Sequence, residues 1–411
     1  MNILVLNSGS SSQKACLYEI GETLPEHPPG CLWEGRIEFD GPAAAIVVKN
    51  SKGFVQKEKR TVASREQAVA ALLTTAWTGE TRVLASASEI DVVGHRVVHG
   101  GPQFEDPVVI TPEVRAAISG MSPFAPLHIG AEIEGVQVAT RLLGAVPQVA
   151  VFDTGFHRQM PPSATIYPGP YEWFESGIRR YGFHGINHQY CAGRAAQLLG
   201  KQVLRVVTCH LGNGCSLAAV DDGRSVDTTM GFTPLDGLMM GTRSGAIDPG
   251  ILTYLMRQGR LNAEEIDSTL NHKSGLLGIS GLSSDMREIL AAIQRGDRRA
   301  KLAFDIYVHR LRAAIGGMCA VMAGMDALVF TAGVGENSPE VRGSACSTLG
   351  FLGIHLDPKA NAQPILDQDI SAADSRVRVL VIRAEEDWAI AKECWRLTRQ
   401  ESGKPAGKHV T

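Results

Sequence analysis

Leu204-Arg205-Val206-Val207-Thr208-Cys209-His210-Leu211-Gly212-Asn213-Gly214-Cys215-Ser216-Leu217-Ala218-Ala219-Val220 is the stretch that decides how this chain is built. Two runs of β-branched and small apolar residues flank the polar turn His210 to Gly214, which reads as strand, turn, strand. Glycines at such a turn let backbone N–H groups crowd around an anion. Downstream, Asp227 to Gly250 is a loop rich in Gly, Thr and Asp that carries one cation, Arg243. Glycines, hydroxyls and an arginine together predict phosphate handling. They do so without a Walker loop, since G-x-x-x-x-G-K-[ST] occurs nowhere in the chain.

The same pattern recurs at the start. Asn2–Leu6 is a strand candidate, Asn7-Ser8-Gly9-Ser10-Ser11-Ser12 a turn, and Ala15–Ile20 a second strand. Two such units imply two related domains, each offering a phosphate loop to a shared cleft. Further strand candidates are Leu32–Phe39, Ala44–Lys49, Val92–Val97, Gln148–Phe152, Val203–His210, Ser216–Val220, Ala327–Thr331 and Val377–Ile382. Helix starts alternate with them: Ser64 with Gln67 as a capping box, and Thr111-Pro112, Asp248-Pro249 and Ser338-Pro339 as a cap before a proline. Alternating strands and helices predict an α/β fold.

Composition narrows the class. At 411 residues the chain exceeds one ordinary core, and 44% hydrophobic with 20% charged residues suits a globular enzyme. A net charge of −3 gives no reason to expect nucleic acid or an anionic membrane as partner. The apolar run Ala313 to Met325 is too short to span a bilayer. Met1 to Leu6 has no basic region of a signal peptide, and the eight cysteines show no C-x-x-C or zinc-like pairing. Reduced thiols in a cytoplasmic protein are the expectation.

Several side chains stand where α/β sites collect their chemistry, each with a plainer reading beside it. Asn7 to Lys14 could bind a phosphoryl group, or be an ordinary hairpin turn. Arg96 in Gly94-His95-Arg96-Val97-Val98 needs an anion, either a ligand or an internal salt-bridge partner. Asp153 directly follows the apolar run Val149 to Val151, and could equally cap the next turn. His184, between Phe183 and Gly185, and His210 read equally as core histidines. Gly333-Val334-Gly335 and Gly212-Asn213-Gly214 each lack the third glycine of a dinucleotide fingerprint. Glu385-Glu386-Asp387 could support Mg²⁺ through water or simply start a solvated helix.

Taken together, N-S-G-S-S-S-Q-K, G-H-R-V-V-H-G-G, P-L-H, F-D-T-G-F-H, Y-G-F-H-G, H-L-G-N-G, D-T-T-M-G-F-T-P-L-D-G, M-G-T-R-S-G, S-S-D-M-R and T-A-G-V-G-E-N resemble the acetate kinase family, in the family's order. The resemblance implies a duplicated actin-like (ribonuclease H-like) two-domain α/β fold with an interdomain active-site cleft. The domains would be 1–152 plus about 387–411, and 153–386. It implies ATP- and Mg²⁺-dependent phosphorylation of acetate to acetyl phosphate, with Mn²⁺ as a possible substitute, by a cytoplasmic homodimer.

Carried over by motif, Arg96 grips the carboxylate, Asp153 is the active-site acid, and His184 and Arg243 stabilise the transition state. Val98, Leu127, Phe183 and Pro234 match the acyl pocket. Asn7 and Glu386 would support the metal, with Glu385 the alternative to Glu386. Lys14, the turn His210-Leu211-Gly212-Asn213-Gly214, Asp285-Met286-Arg287 and Gly333-Val334-Gly335-Glu336-Asn337 would hold the nucleotide. The sequence departs from the family at Ile129-Gly130, Ile186-Asn187 and Ala384, none of them a charged catalytic group. A propionate or butyrate kinase is the near alternative, and an ATPase that uses nucleotide as a conformational switch the distant one.

Overall fold

The structure, a computed structural model, describes residues 1–9, 12–122, 126–201 and 204–401. Ser10 and Ser11 of the first turn and Val203, the expected first residue of a strand, lie outside the described residues. The chain divides into two compact units. One comprises Met1–Gly155 with the chain from Glu385 onward, the other Phe156–Ala384.

The first unit is built on an eight-stranded mixed sheet: β1 (Asn2–Ser8), β2 (Ser12–Glu19), β3 (Trp33–Asp40), β4 (Ala43–Asn50), β5 (Val55–Thr61), β6 (Val92–Val97), β7 (Val108–Val109) and β8 (Gln148–Phe152). Their order is β5-β4-β3-β2-β1-β6-β8-β7. The second unit has a six-stranded sheet: β9 (Arg205–Leu211), β10 (Cys215–Asp221), β11 (Arg224–Thr228), β12 (Ala327–Thr331), β13 (Gln368–Asp369) and β14 (Arg378–Val381), in the order β11-β10-β9-β12-β14-β13.

One plan underlies both. In β3-β2-β1-β6-β8 and in β11-β10-β9-β12-β14, three antiparallel strands are followed by two that join in parallel, and a short antiparallel strand closes the edge. This is the α/β class and duplication that the repeated strand-turn-strand pattern predicts.

The central strands show why. Ile3 to Leu6 in β1 and every residue of β12 are buried, as continuous apolar runs covered on both faces must be. Four strands escape prediction. β5 reads V-Q-K-E-K-R-T and is mostly exposed, a charged edge that discourages pairing with another chain. β11 mixes polar and apolar residues, and β7 and β13 have two residues each.

Helices then place the site. Arg65–Thr74 and Pro126–Leu143 pack on β1, β3 and β6 around fully buried Trp33. The helix Glu386–Glu401 packs against β1 and β6. A side chain on Gly94 of β6 would meet Cys394 Sγ and Ile390 Cγ2, each at 2.6 Å. The missing Cβ therefore lets that helix lie close to the strand that carries Arg96.

Candidate active site

In the first unit the functional side chains collect at the ends of parallel strands. Asn7 lies near the end of β1 and Arg96 in β6, while Asp153 directly follows β8. An Arg96 Nη2 donates to Asp153 Oδ2, and Nη1 donates to Asn7 Oδ1 at 3.4 Å. Asn7 Nδ2 in turn donates to Glu386 Oε2 at 3.5 Å. Strand order brings Asn7, Arg96 and Asp153 together, and the helix Glu386–Glu401, packed on β1 and β6, adds Glu386, although 379 positions separate it from Asn7.

Asp153 is only 1% exposed. Burial works against the charge of Arg96, but Asp153 and Glu386 outweigh it and hold the guanidinium above its ordinary value. Asp153 therefore serves Arg96 as a counter-ion. Next to Glu386, the carboxyl of Asp387 is buried, accepts from Cys16 Sγ at 3.4 Å, and is raised by that burial. Asn7 and Lys14 also act on the Asp387 carboxyl, so Glu386 and Asp387 both stand beside Asn7. Lys14 is exposed on β2, in register opposite Asn7. Val98 follows β6 and is buried. Leu127 opens the helix Pro126–Leu143, and its side chain lies outside the described residues.

In the second unit a different group assembles. His184 adopts left-handed φ of 57° as it enters the helix Gly185–Leu199, a conformation that costs a non-glycine residue energy and clusters at functional sites. Its ring stacks on His210, with centroids 4.0 Å apart. His184 Nδ1 is 2.9 Å from Ser216 Oγ, which lies 2.7 Å from His188 Nε2. His188 Nδ1 lies 2.7 Å from Thr208 Oγ1, so a hydroxyl–imidazole chain runs back from His184. Burial lowers His188 well below its usual range and favours its neutral form.

Arg243 donates to the Pro234 carbonyl at 3.1 Å, and burial lowers its pKa. A Cβ built on Gly214 would lie 3.5 Å from both Arg243 Nη1 and His184 Cε1. The glycine turn, His184, His210, Arg243 and Pro234 are therefore one constellation. Phe183 is buried, and its carbonyl faces His157 Nε2 at 3.2 Å.

That turn also borders a cavity of 980 Å³ within the second unit. Gly212, Asn213, Asp285, Met286, Arg287, Gly333, Val334 and Asn337, all anticipated for the nucleotide, line it. The volume suits a ligand of nucleotide size. Asp285 caps the helix Met286–Gln294 and accepts from Arg287, whose side chain stays 89% exposed. Gly335 is buried behind the loop. Glu336 turns into its own loop, where Oε1 accepts from the Ala332 and Ala384 N–H groups at 3.0 and 2.8 Å.

The sequence matches the Acetokinase family over residues 2–392. The chain belongs to the acetokinase family. Among its relatives are acetate kinases of a Nostoc species, 57% identical over 97% of this chain and 100% of the relative, and of Gloeobacter violaceus, 56% identical over the same shares. The crystal structure of Porphyromonas gingivalis acetate kinase superposes with a TM-score of 0.89 at 40% identity, covering 97% and 99% of the two chains. A propionate kinase from Francisella tularensis superposes at 0.87 with 38% identity, covering 96% and 99%.

Within this acetokinase fold, motif reading passed over several residues. Leu276, Leu290 and Tyr307 line the cavity from the helices Gly275–Ser280, Met286–Gln294 and Arg298–Val321, where no motif singles them out. Arg342, fully buried, donates to the carbonyls of Gly335 and Glu336 at 2.8 and 2.9 Å and to Asn361, bracing the loop Gly333 to Asn337 from behind. Its position in the sequence, four residues after a helix cap, carries no such signal. Glu132 and the chain from Ser216 to His188 were equally silent.

Proposed function

We propose that this chain is an acetate kinase that moves the γ-phosphoryl group of ATP directly to acetate, forming acetyl phosphate and ADP, and runs the reverse reaction. The supporting observation is membership of the acetokinase family over nearly the whole chain, joined to a nucleotide-sized cavity lined by the expected glycine turns. A carboxylate acceptor has a pKa of about 4 to 5 and is ionised at neutral pH, so the reaction needs no general base. Its difficulty is repulsion between two anions, which demands fixed positive charge and alignment.

The residues fit that demand. Arg96, aligned by Asp153, holds the acyl carboxylate. His184 and Arg243 neutralise the transferring phosphoryl group, and the turn His210 to Gly214 supplies backbone N–H groups to phosphate oxygens. The family resemblance assigns Val98, Leu127, Phe183 and Pro234 to the methyl group. Lys14 contributes charge to the nucleotide.

Among the described residues no group of three acidic, histidine or cysteine side chains could hold a metal. The adjacent amide of Asn7 and carboxylate of Glu386 form a partial donor set, as expected for Mg²⁺, which usually keeps water and shares ligands with substrate phosphates. Bound there, Mg²⁺ (or Mn²⁺) would offset the phosphate charge. Homodimeric assembly and a cytoplasmic location belong to the same proposal and rest on the family resemblance; light scattering tests the first.

The deciding assay incubates the protein with ATP, Mg²⁺ and acetate and traps acyl phosphate with hydroxylamine. Acetate-dependent hydroxamate, with a weaker signal from propionate, is the expected result. A stronger signal from propionate would favour the activity named for the Francisella relative. ATP loss without hydroxamate would refute the transfer reaction.

A further inference from the structure

Glu132 sits on the helix Pro126–Leu143 and is 2% exposed. Its Oε1 accepts from the Val98 N–H at 3.0 Å. Its Oε2 is shut off from solvent and has no hydrogen-bonding partner among the described residues. A buried carboxyl whose one hydrogen bond goes to a backbone N–H is an expensive way to satisfy a peptide group, unless the peptide's position matters. Val98 lies just beyond the end of β6, where no strand partner takes its N–H, and two residues after Arg96.

We propose that Glu132 is a positioning residue of acyl recognition: by holding the Val98 N–H it fastens the peptide following Arg96 to the helix opened by Leu127, and so sets the grip on a short acyl chain. The inference rests on the reading of Val98 as a wall of the acyl pocket.

Charge supports it. Arg96 already faces Asp153 and Glu386, and a third full negative charge nearby would oppose an incoming carboxylate. Burial, reinforced by Asp153 and opposed by Arg96 and the Val98 N–H, pushes Glu132 up to about 8. Near neutral pH it is an uncharged acid that accepts a hydrogen bond without competing for Arg96. An amide of the same shape can do the same work.

The test compares Glu132→Gln, Glu132→Leu and Val98→Ala in the intact enzyme, measuring kcat, KM for acetate, propionate and ATP, and the thermal midpoint. Glu132→Gln keeps acetate KM within about threefold, whereas Glu132→Leu strands a buried N–H and raises it about tenfold or more. The leucine variant also shifts the acetate-to-propionate preference while ATP KM stays unchanged. A folded Glu132→Leu with unaltered acetate KM and preference overturns the proposal, as does a glutamine variant as impaired as the leucine one. Should Glu132→Leu fail to fold, Glu132→Asp, whose acceptor is withdrawn by one methylene, takes its place: aspartate must raise acetate KM where glutamine does not, and equal values overturn the proposal. Val98→Ala separates the two readings. If it shifts the preference and Glu132→Leu does not, the pocket stands and the role of Glu132 falls; if Val98→Ala shifts nothing, the pocket reading falls and takes this inference with it.

Discussion

Replacing Asp153 by Asn separates two roles for the family's active-site acid. Asp153 is 1% exposed and accepts from an Arg96 whose side chain is 14% exposed, so the pair is held mostly away from water. Asn keeps the volume and one acceptor oxygen but removes the charge that compensates the guanidinium. A charged hydrogen bond contributes about 1.5–3 kcal/mol, and leaving one partner of a buried pair uncompensated costs about 3–5 kcal/mol. Glu386 offsets part of that loss, because it also acts on Arg96. We therefore place the cost at about 3 kcal/mol, or roughly a hundredfold loss in kcat/KM for acetate.

The assay is ADP release at saturating ATP and Mg²⁺, with acetate varied, across the pH range of activity. If Asp153 orients Arg96, the loss falls on acetate kcat/KM while the shape of the pH profile survives. Turnover and acetate KM both within twofold of wild type would refute the counter-ion role. A pH limb that vanishes in the variant would show that Asp153 exchanges protons in the reaction.

Three further outcomes follow from particular contacts. Ser216→Ala removes the hydroxyl between His184 and His188 and should lower kcat about tenfold or more with little change in acetate KM, while Ser216→Thr restores most of it; equal alanine and threonine variants would show that the chain does not position His184. Gly241→Ala puts a Cβ 2.1 Å from Asn213 Oδ1 and 3.1 Å from the Ser284 carbonyl, so Asn213 must leave the nucleotide cavity. ATP KM should rise severalfold with a loss of about 1–3 kcal/mol in stability, and an unchanged ATP KM would sink that reading.

The third concerns acid. Burial lowers His95, His99 and His157 to about 4 from an ordinary 6.5, so the folded protein holds them neutral while the unfolded chain takes up protons. Their contribution is complete above about 6.5 and is lost as pH falls toward about 4, up to about 3 kcal/mol for each. Denaturant titrations over that window should show His157→Gln losing less stability than wild type, and parallel curves would count against the assignment.

Local chemistry was legible in the chain because it is local. Buried apolar runs gave the central strands, and Asp248-Pro249 and Ser338-Pro339 gave helix starts whose caps are present in the structure. Glycine turns flagged both the 210–214 and 333–337 loops, since only such residues let a backbone close on an anion. β5 stayed hidden because an edge strand needs no apolar face, only a neighbour with free N–H and C=O groups.

By itself, then, the sequence determined the α/β class, the duplicated strand-turn-strand plan and the family's motif residues. Only the tertiary structure decided the pairings. It set Asp153 on Arg96 and brought both Glu386 and Asp387 to Asn7, with Asp387 also accepting from Cys16. It turned Glu336 away from the cavity and placed Arg342 behind the loop Gly333 to Asn337. It gave Glu132 a single backbone partner. The reason is physical: propensity and turn chemistry act over a few residues, whereas the charge and hydrogen bonding of a buried side chain depend on whichever distant strand or helix packs against it.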